Sequence, residues 1–336
     1  MSQKNILVAG ATGRQGQAFI SALRDCDYFH ILALTRNPSS RKAKWLASES
    51  KVTIIEGDLD SEASIRSVFE NTKSTGGGIW GVFCVLAFPG LGVNADSEER
   101  QGKVLADISL EYGVSCFVFS SVERGGESSD DVLMLDRLAK ARIERHLRGL
   151  GSHGLAWTIL RPGFFMENYE GIVGAITVSV LKAGLPKDTT IQLVCVDDIG
   201  HVAAGVFRVS CQDPALYAFQ ILLVAGEVST IFEQEDVFRR RTGRDLPSVP
   251  VFVGKILLAI NGHTQGLVAD IKRVHRARIT GECPDEDGQM AATRQAYHDM
   301  TTFAKWAELR SGSSVNRSQG WNRLQSESSC QDGSSR

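Results

Sequence analysis

The sequence predicts an α/β fold: a Rossmann-type doubly wound parallel sheet with a smaller C-terminal α/β lobe. Three observations carry this. Apolar runs of strand length alternate with segments of helical spacing from residue 5 to about residue 160. The first run, Ile6 to Ala9, leads into three evenly spaced glycines, Gly10, Gly13 and Gly16, and then into a helix-spaced set, Phe19, Ile20 and Leu23. The chain has 336 residues, enough for one such domain, a smaller lobe and a substantial core.

The first strand, turn and helix read as a phosphate cradle. Glycines let a pyrophosphate approach bare backbone, and the helix's first N–H groups and positive dipole end face its charge. The cradle is expected from Gly10, Ala11, Thr12, Gly13, Arg14, Gln15 and Gly16. Its spacing, G-x-x-G-x-x-G, departs from the usual G-x-G-x-x-G, and the plain alternative is a glycine turn with no ligand.

Ile31 to Thr35 reads as the second strand, and Arg36-Asn37-Pro38-Ser39-Ser40 follows. A NAD site places an Asp or Glu about 20 residues past the glycines to accept from the ribose 2′-hydroxyl. Arg36 stands there with no acid beside it. A guanidinium pairs with a 2′-phosphate that a carboxylate would repel, so NADP is the expected cofactor. Arg41, Lys42 and Lys44 add positive charge nearby; the alternative is a solvated arginine after a strand.

The remaining elements follow in order. Arg41 to Ser48 reads as helix, Val52 to Ile55 as a third strand, Ser61 to Phe69 as helix, and Gly76 to Gly78 as loop. Trp80 to Ala87 reads as a fourth strand stopped by Phe88-Pro89-Gly90, then a helix from Glu98 to Tyr112. Cys116 to Phe119 is a fifth strand closed by Ser120 and Ser121; a helix spans Val132 to Leu150, and Trp157 to Leu160 is a sixth strand. Right-handed crossovers put the loops after the strands at one carboxyl edge, where ligands bind. Further on, strands are expected over 191–196 and 219–224, with Asp197 or Asp198 capping a helix to Phe207. A helix is expected to start at Ser229-Thr230-Ile231 and run to about Arg241, stopped by Gly243, and 250–310 reads as mainly helical. The expected division is a dinucleotide-binding domain over 1–163, a smaller lobe interleaved with it over 164–310, and an unstructured serine-rich tail over 311–336.

Composition narrows the function classes. Net charge is -2, which gives no reason to expect a nucleic-acid or anionic-membrane partner. Seven cysteines without a C-x-x-C pair fit reduced thiols and a cytoplasmic location. No signal pattern and no apolar run of about 20 residues is present. The seven histidines are dispersed without metal-ligand spacing, so no metal is expected. Arg239-Arg240-Arg241 reads as a solvated helix end, and Trp45, Trp157 and Trp306 as packing residues.

The motifs G-A-T-G-R-Q-G at 10–16, T-R-N-P-S-S at 35–40, G-D-L-D at 57–60, E-R-Q-G-K at 99–103, A-K-A-R-I-E at 139–144, R-P-G-F-F-M-E-N at 161–168 and D-D-I-G at 197–200 resemble, in order and spacing, the NmrA-like family. This is an atypical branch of the short-chain dehydrogenase/reductase superfamily, and the resemblance spans about residues 4–310. It implies NADP binding in a cleft capped by a small lobe. By position it implies that Asp58 and Leu59 flank the adenine, Ala87 lines the ribose and pyrophosphate, and Arg100 supplies a cation. Lys140 then reaches the nicotinamide ribose, and Phe165, Met166, Glu167 and Asn168 flank the nicotinamide and the substrate.

The superfamily's usual acid is a tyrosine four residues before that lysine; here the place holds Asp136, and neither Tyr112 nor Tyr169 has the spacing. An ionised carboxylate cannot donate the proton a reduced carbonyl needs. Two readings follow from the resemblance. One is an NADP-dependent oxidoreductase, as in fungal secondary metabolism, acting on a small hydrophobic carbonyl or alkene. Lys140 is then the candidate acid or only a ribose clamp, and Ser120 and Ser121 either lie beside substrate or satisfy a strand end. The other is a non-catalytic NAD(P)-sensing regulator with a transcription-factor partner, for which a nuclear location is the alternative. Glu167 is expected either to serve substrate or to pair with Arg161 or another cation.

Overall fold

Alternation along each strand decides which side of the main sheet every apolar residue enters. In β1 (Lys4–Ala9), Ile6 and Val8 join one buried cluster while Leu7 and Ala9 join another. The same division runs through β2 (Phe29–Thr35), β4 (Ile79–Cys84), β5 (Cys116–Ser120) and β6 (Trp157–Pro162). Both faces are therefore buried, which is why these strands read as continuous apolar runs. The computed structural model describes residues 3–87, 90, 93–128, 130–283 and 285–312. The remaining strands are β3 (Val52–Glu56), β7 (Phe164–Phe165), β8 (Thr190–Val194), β9 (Gln220–Val224) and β10 (Glu227–Thr230).

Seven strands pair in the order β3-β2-β1-β4-β5-β6-β9, every pair parallel. The first six follow the Rossmann order, with the reversal between β1 and β4 that opens a crevice at the carboxyl edge. Against one face pack α1 (Arg14–Ala22) and the later α7 (Val196–Ser210) and α11 (Glu286–Ala296). Against the other pack α3 (Glu62–Gly76), α4 (Asp96–Glu111) and α5 (Leu135–Gly151). The short α2 (Arg41–Leu46) follows β2. A second sheet, β10-β8-β7, is smaller. Its core is shared with α6 (Gly171–Gly184), α8 (Ile231–Thr242), α9 (Val251–Ile260), α10 (Gly262–Ile279) and α12 (Phe303–Gly312). Among the described residues no single helix is long and apolar enough to cross a membrane.

Several boundaries differ from the sequence reading. The helix expected over 61–69 runs on to Gly76, with Thr72, Ser74 and Thr75 turning their hydroxyls back onto the carbonyls of Val68, Glu70 and Asn71, and ends at the left-handed Gly77 (φ 92°). β4 ends at Cys84 rather than Ala87, and Phe88 and Pro89 of its expected stop lie outside the described residues. α5 starts at Leu135, which enters it in the left-handed region (φ 51°). Neither Asp197 nor Asp198 caps α7, whose cap position is Cys195; the buried Asp198 carboxylate instead accepts from the backbone N–H (2.7 Å) and hydroxyl (2.9 Å) of Thr301. Trp45 is 49% exposed, since Ala43 and Leu46 take the inward side of its short helix. Trp157 and Trp306 are buried. Thr230 and Glu233 form a capping box on α8, which stops at Gly243. Arg239 and Arg241 at its end pair with Asp245 and Glu308. The expected tail lies outside the described residues from residue 313 onward.

Beneath the loop after β5 lies a buried ionic network. Glu144 of α5, 1% exposed, accepts from Arg124 (2.7 Å) and Arg161 (2.6 Å), both also buried. Arg124 pairs further with Asp130, Arg161 with Glu127, and the Ser121 hydroxyl donates to Glu144. Burial opposes ionisation of Glu144, yet the two guanidiniums hold its carboxyl below the ordinary range. Glu127, resisted by burial but bonded to Arg148 and Arg161, is held at about 2.

Substituting Glu144→Gln should cost about 3–5 kcal/mol, because two buried guanidiniums lose their counter-charge. Acid should act in the same direction. Carboxyls depressed in the folded state take up protons more readily when unfolded, so stability falls as pH drops from about 4.3 towards about 2. Urea unfolding from neutral pH downward checks both; an unshifted midpoint in E144Q would remove the network from the stability of the fold.

Candidate functional site

The carboxyl edge of the main sheet gathers the glycine turn, the loops after β2 and β3, and the start of α5. Gly10 turns with φ 80°, and a Cβ there would stand 2.2 Å from the Val85 carbonyl oxygen, so only glycine lets this turn lie against the chain leaving β4. Gly13 donates to the Gly10 carbonyl (2.9 Å) and takes the cap position of α1. No side chain caps that helix and no acid sits in its first turn, so its N-terminal charge is left to an anion. Thr12 accepts from Gln17 through its carbonyl (2.7 Å), and Gln15 accepts the Ser120 hydroxyl (2.7 Å), which ties the end of β5 to the cradle. Ser120 and Ser121 are thus both committed to side-chain partners. Ala11 is buried beneath the turn. Arg14 leans away to pair with Glu170 (3.4 Å).

After β2, Arg36 is exposed. Asn37 Oδ1 accepts from the Ser39 N–H (3.0 Å) across Pro38, and the Ser40 hydroxyl caps α2 through the Ala43 N–H (3.2 Å). After β3, the Asp58 carboxylate accepts from the Asp60 N–H (3.1 Å), and Leu59 packs on the core. Asp60 in turn accepts from Gln101 (2.9 Å) and Arg100 (3.1 Å). Those bonds, with the charge of Arg36, lower its carboxyl pKa. Arg36, Asp60 and Arg100 therefore form one exposed group with a net positive charge. Ala87 is exposed past the end of β4.

Lys140 reaches the site from α5 and is paired with Glu98, a residue the sequence reading did not single out. Glu98 lies on the buried stripe of α4 with Gly102, Leu105 and Ser109. A charge at that spacing was the available signal. Gly102 brings the helices together: a Cβ there would stand 2.6 Å from Ile143 Cδ1. One turn earlier on each helix, the same approach sets Glu98 against Lys140. Glu98 is 1% exposed, and burial raises its pKa although Lys140 opposes this. Cys84, at the end of β4, feels both charges, and its burial pushes the thiol up to about 12. Asp136, one turn before Lys140, adds negative charge beside Glu98. His263 of α10 lies within electrostatic reach of Asp136, and partial desolvation lowers its pKa. Tyr169 donates to Gln234 (2.6 Å) in the small core, and Tyr112 to Glu70 (3.1 Å) at the far end of α4.

The structure commits two of the residues expected to flank a nicotinamide elsewhere. The Met166 side chain is fully buried in the small core. Glu167, 2% exposed, accepts from the Val196 N–H at the start of α7 (3.2 Å) and from the Cys195 thiol (3.2 Å). Its cation is Arg310 at 3.9 Å, not Arg161, which is taken by Glu144. Phe165 and Asn168 remain half-buried on the same segment. Among the described residues no three His, Cys, Asp or Glu side chains gather as metal ligands.

The sequence pattern of the NmrA-like family matches residues 2–306. A relative from Penicillium ochrochloron, the NmrA-like family domain-containing oxidoreductase ptmS, is 25% identical over 280 residues, 74% of this chain and 76% of its own. Among solved structures, NmrA, a negative transcriptional regulator, is similar with a TM-score of 0.64 at 17% identity, covering 91% of this chain and 95% of its own. The NADPH-dependent quinone oxidoreductase QOR2 of Escherichia coli, solved with NADPH, gives 0.64 at 18% identity, covering 91% and 99%.

Removing the charge of Glu167 should weaken the junction between β7 and α7 irrespective of any ligand. Glu167→Gln should destabilise the fold by about 1.5–3 kcal/mol, the range for hydrogen bonds to a charged group. Thermal unfolding of the variant without added nucleotide checks this, and an unchanged midpoint would contradict the capping role.

Proposed function

The chain belongs to the NmrA-like family, and from that premise we propose that it is an NADP-dependent oxidoreductase moving hydride to a small hydrophobic carbonyl or alkene of secondary metabolism. The observation that carries this is the cradle itself: an α1 N-terminus with neither side-chain cap nor acid, with Arg36 standing exposed at the end of β2. That arrangement fits a dinucleotide bearing a 2′-phosphate. The ptmS relative, named an oxidoreductase, and QOR2, solved with NADPH, support the same reading.

When bound, the nicotinamide supplies the hydride. Every other part falls to the backbone and side chains of this protein. The backbone from Gly10 to Gly16 takes the pyrophosphate, Arg36 with Asn37, Pro38, Ser39 and Ser40 surrounds the 2′-phosphate, and Asp58 and Leu59 flank the adenine. Ala87 and Arg100 complete that side, and Phe165 and Asn168 border the nicotinamide. Lys140 carries three N–H donors on its ammonium; one is hydrogen-bonded to Glu98, which leaves the others for the ribose and for a substrate oxygen as charge develops there. Asp136 cannot supply that proton when ionised. Exposed Val132, Met134 and Leu135, in the stretch entering α5, favour an apolar substrate.

A second reading, a dinucleotide-sensing regulator that contacts a transcription factor, is favoured by Asp136 in the tyrosine's place and by the similarity to NmrA. The two separate in one experiment. Consumption of NADPH with a panel of apolar ketones, quinones and enones, lost in Lys140→Ala, supports the enzyme; tight NADPH binding without turnover across the panel supports the sensor.

Arg36→Ala should weaken NADPH by roughly 10- to 100-fold and leave NADH nearly unchanged. Titration calorimetry with both nucleotides checks it, and equal losses would overturn the phosphate assignment.

A further inference from the structure

Burying a carboxylate is tolerated when both of its oxygens are satisfied. Glu98 meets that condition on one side only. Oε1 pairs with Lys140, whereas Oε2 is fully buried and no donor among the described residues reaches it. The contrast with Glu144 is direct, since both Glu144 oxygens accept from guanidiniums. An orphaned charged acceptor is costly to bury, and Glu98 sits at the site, on the helix facing the start of α5. Lys140 is 14% exposed against 1% for Glu98, so the lysine forms the open end of the pair with the carboxylate directly behind it.

The missing partner must be a donor. It must also sit beside the Lys140 ammonium, and a neutral donor does so without the repulsion a second cation would meet there. A neutral hydroxyl meets both demands: its oxygen accepts from the ammonium while its proton goes to the carboxylate. A vicinal diol offers one hydroxyl to the free carboxylate oxygen and a second acceptor to the ammonium, and the pair it meets is neutral overall.

We infer that Glu98 is a binding residue for the nicotinamide-side ribose, its free carboxylate oxygen taking a hydroxyl proton while Lys140 donates to the same diol. This rests on the NADP reading given above. It assigns Glu98 two jobs: one oxygen anchors the lysine, and the other reads the sugar. Loss of Glu98 should therefore affect only ligands that carry that ribose.

Adenosine 2′,5′-bisphosphate, which has the adenosine half and lacks the nicotinamide ribose, provides the control. In calorimetric titrations Glu98→Gln should weaken NADPH at least tenfold and bind adenosine 2′,5′-bisphosphate within twofold of the unsubstituted protein. Equal losses for both ligands, or no loss for either, would overturn the inference. Failure of the unsubstituted protein to bind either ligand would instead sink the NADP reading, and this inference with it. If Glu98→Gln lowers the unfolding midpoint, the double variant Glu98→Gln/Lys140→Met removes both charges together. It should bind adenosine 2′,5′-bisphosphate normally and NADPH several-fold more weakly than Lys140→Met alone; equal NADPH affinity of the double variant and Lys140→Met would mean that Glu98 acts only through the lysine and would overturn the assignment.

Discussion

Burial of the main sheet on both faces is the constraint from which the site follows. Seven parallel strands covered by helices on each side leave the carboxyl edge as the place where polar groups can meet solvent. The close packing that covers the sheet also sets the geometry at that edge. Gly10 lets the first turn lie against Val85, and Gly102 lets α4 meet α5 at Ile143. The cradle and the Glu98–Lys140 pair are products of the same packing that makes the core.

Three buried carboxylates show how differently one residue type is accommodated. Glu144 is matched by two guanidiniums, and its carboxyl is held low despite burial. Glu167 is matched by the N–H at the start of α7, a thiol and a distant Arg310, and burial leaves its pKa raised. Glu98 has one lysine and an idle oxygen, and it too is raised. The number of donors that reach each carboxylate separates the structural from the receptive: a fully matched acid has nothing left to offer a ligand, and a half-matched one does.

Around the cradle the same distinction sorts the polar side chains. Arg14, Ser120, Ser121 and Ser40 have partners within the protein, while Arg36 stands out in solvent at the end of β2. A motif thus marks a segment as belonging to the site without saying which of its side chains face it. Phe165 to Asn168 illustrates this: one short turn places Met166 and Glu167 inward and leaves Phe165 and Asn168 partly accessible.

The sequence by itself determined the order of strands and helices as far as β6, the glycine turn before α1, and the arginine without a neighbouring acid after β2; it did not mark β7, α6 or β10. The features it did mark are local properties: apolar periodicity, backbone freedom and charge at a fixed distance along the chain. It also held a clue to Glu98, a charge on the apolar stripe of α4, although nothing local gave its partner. Only the tertiary structure decided that Lys140 meets Glu98 across 42 residues, that Arg124 and Arg161 converge on Glu144, and that Glu167 serves α7 rather than the cleft. Those pairings depend on how closely helices approach and how far water is excluded, and neither is written in any one segment.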